Sequence, residues 1–469
     1  MKAAAMSVWI FINLLCFGMC GYLYLIWSQY WMSLERQRLF NKAHATPQNN
    51  GKSGISYQET FSENIVYNTV QNASLLNVDS VRKRSGAVLR SGQAIQWPNK
   101  SYGAQSRPSN NIVMRKHGSP RFPNIHKAIL EFDSEKYVCN DLTTLECESK
   151  TAEFKELLLK EFHRVLMTDS KVFTSGLESQ NPYDVKYERG YVKQLTRGEL
   201  LCALGNVAVR TVEAEDPPFS TLGFKIPKNP LQKHRTFNTC ALVSSSGALL
   251  GSRLGEFIDS HNMVLRFNNA PTENYTEDVG SKTTFRILNS QVVTKPEFNF
   301  LNDPMYKNIS IIIWDPANYS SPLDEWYRQP DFPVFQVYKK LLEQRPGADV
   351  HLLYPQVLWD LWVILQDSSP YRLRRNPPSS GFIGLWFAIH RCNRVRMFEY
   401  VPSVHATRRC HYYTSGDDSG CTLGAWHPLA QEKSLAHRMS DNADLDVFQR
   451  GFIDIPGNRT TSIFYTPKL

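Results

Sequence analysis

The chain has 469 residues, 42% hydrophobic and 21% charged, which suffices to bury at least one substantial core. A net charge of +9 favours acidic partners such as nucleotide sugars, acidic glycans or anionic lipid. No run of Lys and Arg exceeds Arg82-Lys83-Arg84 and no nucleic-acid motif accompanies it, so nucleic acid is excluded as a partner.

Residues 1–7 read as a short tail. Val8 to Trp27, VWIFINLLCFGMCGYLYLIW, is twenty residues without a charge, long enough to span ~30 Å of hydrocarbon as a helix. Tyr22, Tyr24, Trp27, Tyr30 and Trp31 crowd its distal end, as aromatic rings do at a membrane interface. The alternative is a cleaved signal peptide; the length, the bulky rings and the lack of an A-x-A-like site argue for an uncleaved anchor over 8–27. Positive-inside counting does not orient it, because Lys2 precedes the anchor while Arg36 and Arg38 follow. Asn72, Asn99, Asn274, Asn308, Asn318 and Asn458 each begin an N-x-S/T triplet, and seven cysteines lie beyond the anchor. Together these fit an oxidising lumen, and the odd count leaves at least one thiol free or paired between chains.

From 28 to 121 the composition is Ser, Asn, Gln, Gly and Lys with no sustained period, which cannot offset chain entropy by burial and reads as a flexible stem. The folded domain is expected over 122–469, opening with an amphipathic helix at Ala152–Met167. Strands are expected at Cys240–Val243, Met263–Phe267, Thr283–Leu288, Ser310–Trp314, Val350–Tyr354 and Val395–Tyr400. Helices are expected at Leu249–Ser260, Gln356–Gln366 and Phe382–Ile389. Strands alternating with helices give an α/β domain with a mainly parallel sheet covered on both faces.

Two strand–loop–helix junctions carry the chemistry. At the first, Ser244-Ser245-Ser246-Gly247 follows CALV; small residues permit close approach of a ligand, and a helix start offers unpaired N–H groups. At the second, Asn376-Pro377-Pro378-Ser379-Ser380-Gly381 precedes FIGLWFAI; the prolines enforce an extended approach and a Ser can cap the helix where a phosphate could lie. Taken singly, each is equally a turn or a capped core helix.

The stretch from Cys240 through Gln291 resembles the large sialylmotif, and NPPSSGFIGLWFAIHRC resembles the small one. Cys410-His411-Tyr412-Tyr413 is similar to the third motif, and His427 to Glu432, HPLAQE, to the very small H-x-x-x-x-E motif. The four occur in the order of the animal sialyltransferase family, over about half the chain, with wording like that of the β-galactoside α-2,6 branch. The resemblance implies a Rossmann-like variant of the GT-A type, a single-pass type II Golgi membrane protein with a luminal catalytic domain, and CMP-sialic acid as donor. The acceptor would be a glycoprotein glycan ending in Gal or GalNAc, sialylated at the 6-hydroxyl with inversion.

By the same resemblance His427 is the general base, and imidazole, with a pKa near ~6.5, suits proton removal from a sugar hydroxyl. Glu432, five residues on rather than four, is not placed for direct helical pairing with it and is expected to orient or support the site. Asn268, Asn289, Trp314, Ser379, Ser380, Gly381, His411 and Thr422 are expected on the donor side, the planar amides able to donate and accept at once. Gln291, Asp331, Phe332, Trp426 and Lys433 are expected on the acceptor side or in support. No metal or other cofactor is expected: the one D-x-D, Asp444-Leu445-Asp446, lies beyond the last motif and reads as a solvated surface feature. Cys240 would pair with Cys392 and Cys410 with Cys421, leaving Cys139, Cys147 and Cys202.

Three departures stand out. There is no cysteine near the C-terminus, so Cys202 is free or pairs with Cys139 or Cys147; Trp426 and Phe332 stand where relatives commonly have Tyr. Two competing readings remain, an inactive Golgi-anchored glycan-binding protein and a metal-dependent transferase. The first predicts loss of His427, Asn268, Asn289 or the Ser-Ser-Gly loop; the second predicts a D-x-D inside the core.

Overall fold

The computed structural model describes residues 133–457 except 174–180, 189–191, 193, 227–230, 232–235, 417–419 and 425. The expected tail, anchor and stem lie outside the described residues, as do Asn72, Asn99 and Asn458. Among the described residues no helix is long and apolar enough to cross a membrane.

Helix α1 (Leu145–Phe173) extends the expected amphipathic helix at both ends, with Glu146 and Glu148 in its first turn complementing the dipole. Helix α2 (Arg197–Asn206) starts at a capping box, in which Thr196 and Glu199 satisfy each other's backbone N–H. The sheet comes next: β1 (Phe237–Val243), α3 (Gly255–Asp259), β2 (Met263–Phe267), α4 (Thr276–Val279), β3 (Phe285–Asn289) and α5 (Ser290–Thr294). Then come β4 (Ser310–Trp314), α6 (Leu323–Arg328), α7 (Val334–Gln344), β5 (Val350–Leu352) and α8 (Gln356–Asp367). The domain closes with α9 (Ser380–Arg391), β6 (Cys392–Phe398), α10 (Gly420–Leu423), α11 (Leu429–Met439), α12 (Asp444–Phe448) and β7 (Phe452–Pro456).

The seven strands lie in the order β5-β4-β3-β2-β1-β6-β7. All neighbours run parallel except β7, which pairs antiparallel with β6. Successive side chains point to opposite faces, so Ile311 and Ile313 join the core beneath α7 while Ile312 and Trp314 join the core beneath α8 and α9. Both faces are thereby buried, which explains the near-continuous apolar strands. Helix α9 lies across β1, β2, β3 and β6 and is buried almost all round, each large apolar side chain contributing roughly 1.5–3 kcal/mol.

All six expected strands are present, within a few residues of their expected limits. The helix expected at Leu249–Ser260 is not. A single 3-10 turn (Gly247–Leu249) gives way to Gly251 at φ +80° and Arg253 at φ +54°, and only Gly255–Asp259 is α-helical. The break is fastened by Asp278, whose carboxylate accepts from the N–H groups of Gly251 and Arg253 at 2.8 and 3.0 Å. Cys240 and Cys392 are joined, as are Cys410 and Cys421; Cys139 pairs with Cys147, and Cys202 is free and exposed.

Candidate active site

The chain leaves β1 toward β2 on one side and returns to β6 on the other, so the strand order reverses at β1. In an open α/β sheet such a reversal leaves a crevice at the carboxyl ends of the strands. A cavity of about 360 Å³ occupies that place, lined by Ser244–Ser246 after β1, Phe267 and Asn268 at β2, Asn289 at β3, and Glu399 and Tyr400 after β6. Ser379–Gly381, Arg409, His411, Thr422, Trp426, His427 and Lys433 also line it.

Asn268 is held in the left-handed region at φ +49°, a conformation Asn tolerates. Its Oδ1 accepts from the Asn289 N–H at 3.1 Å, while Asn289 caps α5 by accepting from the Val292 N–H at 3.0 Å. Each amide oxygen accepts one backbone N–H and keeps a second lone pair, so both residues retain donor and acceptor capacity at the cavity wall.

Ser379 caps α9 but turns inward: its N–H and hydroxyl both donate to Glu432, at 2.8 and 2.5 Å. Its own oxygen accepts from the Phe382 N–H. The remaining donors at the helix start are the N–H groups of Ser380 and Gly381 and the Ser380 hydroxyl. A Cβ on Gly381 would come within 2.6 Å of the Tyr400 ring, so only glycine allows this approach. Trp314 lies behind the wall, its indole N–H donating to Ser380 Oγ at 2.9 Å.

Glu432 is fully buried and also accepts from the Tyr400 hydroxyl at 2.9 Å. Burial raises its pKa, opposed by the Ser379 and Tyr400 hydrogen bonds and by Lys433. Its bonds to Ser379 and Tyr400 support the Ser-Ser-Gly loop of the site. Burial lowers the Lys433 ammonium to about 8, against the pull of Glu432 and Glu399, and pushes Glu399 up to about 7. Sequence reasoning missed Glu399 and Tyr400; both directly follow the β6 core run, where residues at a strand's carboxyl end could have been flagged.

His427 donates through Nδ1 to the Pro377 carbonyl at 2.8 Å. A carbonyl can only accept, so Nδ1 carries the proton and Nε2 is left as a lone-pair acceptor. Its ring stands edge-on to Trp426 at 4.5 Å and to Trp314 at 6.1 Å. Desolvation lowers its pKa to about 4; the Pro377 bond opposes this and the Arg374 charge adds to it. Arg374 is itself buried and fixed by a two-point pair to Asp169 of α1 at 2.8 Å, which anchors the segment leading to Pro377.

The acceptor-side expectations divide. Trp426 and Lys433 line the cavity; Gln291, Asp331 and Phe332 do not. Gln291 is exposed and bound to Lys295, an ordinary pair four residues apart on a helix. Asp331 connects indirectly: it accepts from the Tyr183 hydroxyl at 3.4 Å, and the Tyr183 ring stands edge-on to Trp426 at 6.3 Å.

Asp444 and Asp446 are not simply solvated. Buried Lys155 bonds both Asp444 oxygens at 3.0 Å, and Arg450 bonds Asp446 at 2.5 Å, away from the cavity lining. Among the described residues one trio has metal-ligand spacing, Cys410, His411 and Cys421, but its two sulfurs are joined to each other. Asn274 and Asn308 are exposed, whereas Asn318 is half-buried with its amide nitrogen donating to Glu325.

A family model described as glycosyltransferase family 29 (sialyltransferase) matches residues 209–443. The chain is 44% identical over 282 residues to the β-galactoside α-2,6-sialyltransferase 2 of Bos taurus, covering 59% of this chain and 57% of that one. The Homo sapiens protein of the same name is 43% identical over 282 residues, covering 59% and 53%. The chain thus spans just over half the length of these relatives. A crystal structure of a mammalian sialyltransferase overlays with a TM-score of 0.31 at 19% identity, covering 58% of this chain and 84% of that one, too loosely to carry residue positions.

Proposed function

The chain belongs to glycosyltransferase family 29 (sialyltransferase), and from that premise we propose that it moves sialic acid from CMP-sialic acid to the 6-hydroxyl of a terminal Gal or GalNAc on glycoprotein glycans. The observation that carries this reading is the His427–Pro377 bond, which leaves an unprotonated Nε2 on the cavity wall beside the start of α9. The acceptor hydroxyl attacks the anomeric carbon as its proton passes to Nε2. The bond to CMP breaks with its electron pair on the phosphate. The Ser380 and Gly381 N–H groups face that growing charge, as do the amide donors of Asn268 and Asn289. Donors fixed where charge develops favour the transition state over the ground state. One displacement inverts the anomeric centre.

The reading uses no metal ion: the D-x-D carboxylates are committed to Lys155 and Arg450. It places the domain in the Golgi lumen, type II, with 8–27 as the anchor; the three disulfides among the described residues accord with an oxidising compartment. The test is the full chain in detergent with labelled CMP-sialic acid and a panel of Gal- and GalNAc-terminated disaccharides, with and without EDTA. Transfer giving the α-2,6 product in EDTA is expected. Glycan binding without transfer, or dependence on an added divalent ion, overturns it.

A further inference from the structure

Asp315 directly follows Trp314 at the end of β4 and is completely buried, with no solvent exposure. Its Oδ2 accepts from the Trp326 indole N–H at 2.9 Å and from the Asp331 N–H at 3.1 Å, and its Oδ1 accepts from the Phe332 N–H at 3.3 Å. The Ser290 side chain also bonds it, from the first residue of α5. One carboxylate thus joins the helix capped by Asn289, whose amide faces the cavity, to the turn at Asp331–Phe332. From that turn a chain of contacts runs through Tyr183 and Trp426 to His427. On the other side, Trp314 stands edge-on to the same imidazole.

We propose that Asp315 is a positioning residue for the acceptor side, fixing the Asp331–Phe332 turn and through it the Tyr183–Trp426 wall beside His427. This rests on the transferase reading. A wall that adjoins the base must adjoin the hydroxyl the base deprotonates, and its placement governs the acceptor rather than the nucleotide. Chemistry favours a carboxylate here. Two oxygens with no hydrogens can accept from several converging N–H groups, whereas an amide would aim an N–H₂ at one of them. Burial and the neighbouring Asp331 charge push Asp315 up to about 7, and the bonds from Ser290, Trp326 and the Asp331 N–H act against that rise to keep it a carboxylate.

The test is Asp315→Asn in the full chain, with KM for acceptor and donor, kcat, and residue-resolved amide exchange at Asp331 and Phe332. The acceptor KM is expected to rise roughly tenfold, as one N–H of the turn loses its partner, with the donor KM within about twofold. Amide exchange at Phe332 should quicken. If Asp315→Asn does not fold, Trp326→Phe removes one of the carboxylate's donors while keeping a ring in place, and a smaller, acceptor-only rise is expected. Acceptor and donor KM moving together, or exchange unchanged at the turn, overturns the assignment and leaves Asp315 a packing residue. If the unaltered chain transfers no sialic acid, the transferase reading falls, and amide exchange still decides whether Asp315 holds the turn.

Discussion

The two serine-rich junctions flank the same crevice and look alike in sequence, yet the fold uses them oppositely. After β1, Ser244 Oγ donates to the Glu399 carbonyl and accepts from the Ser246 N–H, and Ser246 accepts from the Ala248 N–H. The hydroxyls of Ser244 and Ser246 shape the turn, and the chain continues only as a single 3-10 turn and a five-residue helix. After Pro378, one serine is pinned to Glu432 and the next opens a twelve-residue buried helix whose start faces the cavity. The glycines decide the difference. ALLGSRLGEFID is interrupted where Gly251 takes a positive φ, whereas FIGLWFAIHR runs unbroken across the sheet. Serine and glycine announce a close approach; the apolar run behind them decides whether a helix dipole is aimed into it.

If the second junction is the reacting end, removing the base bonded to its Pro377 carbonyl should have the largest effect. His427→Ala is expected to leave the fold intact and lower turnover by on the order of 10² or more, read as kcat in a folded variant. Near-normal turnover would place the chemistry elsewhere and dissolve the contrast. Its linkage to pH has a definite sign. With a pKa depressed from 6.5 to about 4, folded His427 binds fewer protons than unfolded His427 between those values. Its contribution to stability is therefore lost as pH falls through that window. Denaturation at pH 7 and pH 4.5 should show a smaller pH-dependent loss in His427→Ala than in the unaltered chain.

A second, smaller effect sharpens the contrast from beneath. Glu432→Ala leaves the buried Ser379 N–H and the Ser379 and Tyr400 hydroxyls without their acceptor, and should cost about 3 kcal/mol of stability. A midpoint shift near zero in urea would show that the loop does not depend on it. Least should result from Ser246→Ala. Losing that cap is expected to cost about 1 kcal/mol with donor KM nearly unchanged. A large rise in donor KM would make the first junction a ligand contact after all.

The parallel strands are legible in the sequence because runs such as Ser310–Trp314 are apolar on both faces. β7 is not: it is five residues long, and its buried Asp454 is paired with Arg394 and Arg396 of β6. The motif letters around His427 are readable, but α11 begins just after Pro428 and Glu432 finds its partner 53 residues upstream, a pairing no local spacing reveals. Asp331 and Phe332 stand out by their letters, while Asp315, which holds them, reads in sequence as an ordinary aspartate after a strand.

The Cys240–Cys392 bond joins β1 to β6, neighbours in space but 152 residues apart in the chain. Four strands are synthesised between them, and none can supply the wall formed by Glu399 and Tyr400. Until β6 is made, a growing polypeptide holds the Ser244–Ser246, Asn268 and Asn289 side of the crevice without the side that follows β6. The thiol of Cys240 must wait, buriable but unpaired, until Cys392 has left the ribosome. During that interval it is open to mispairing with Cys202 or with either member of the Cys139–Cys147 pair. The bond between β1 and β6 can therefore form only after most of the domain has been synthesised.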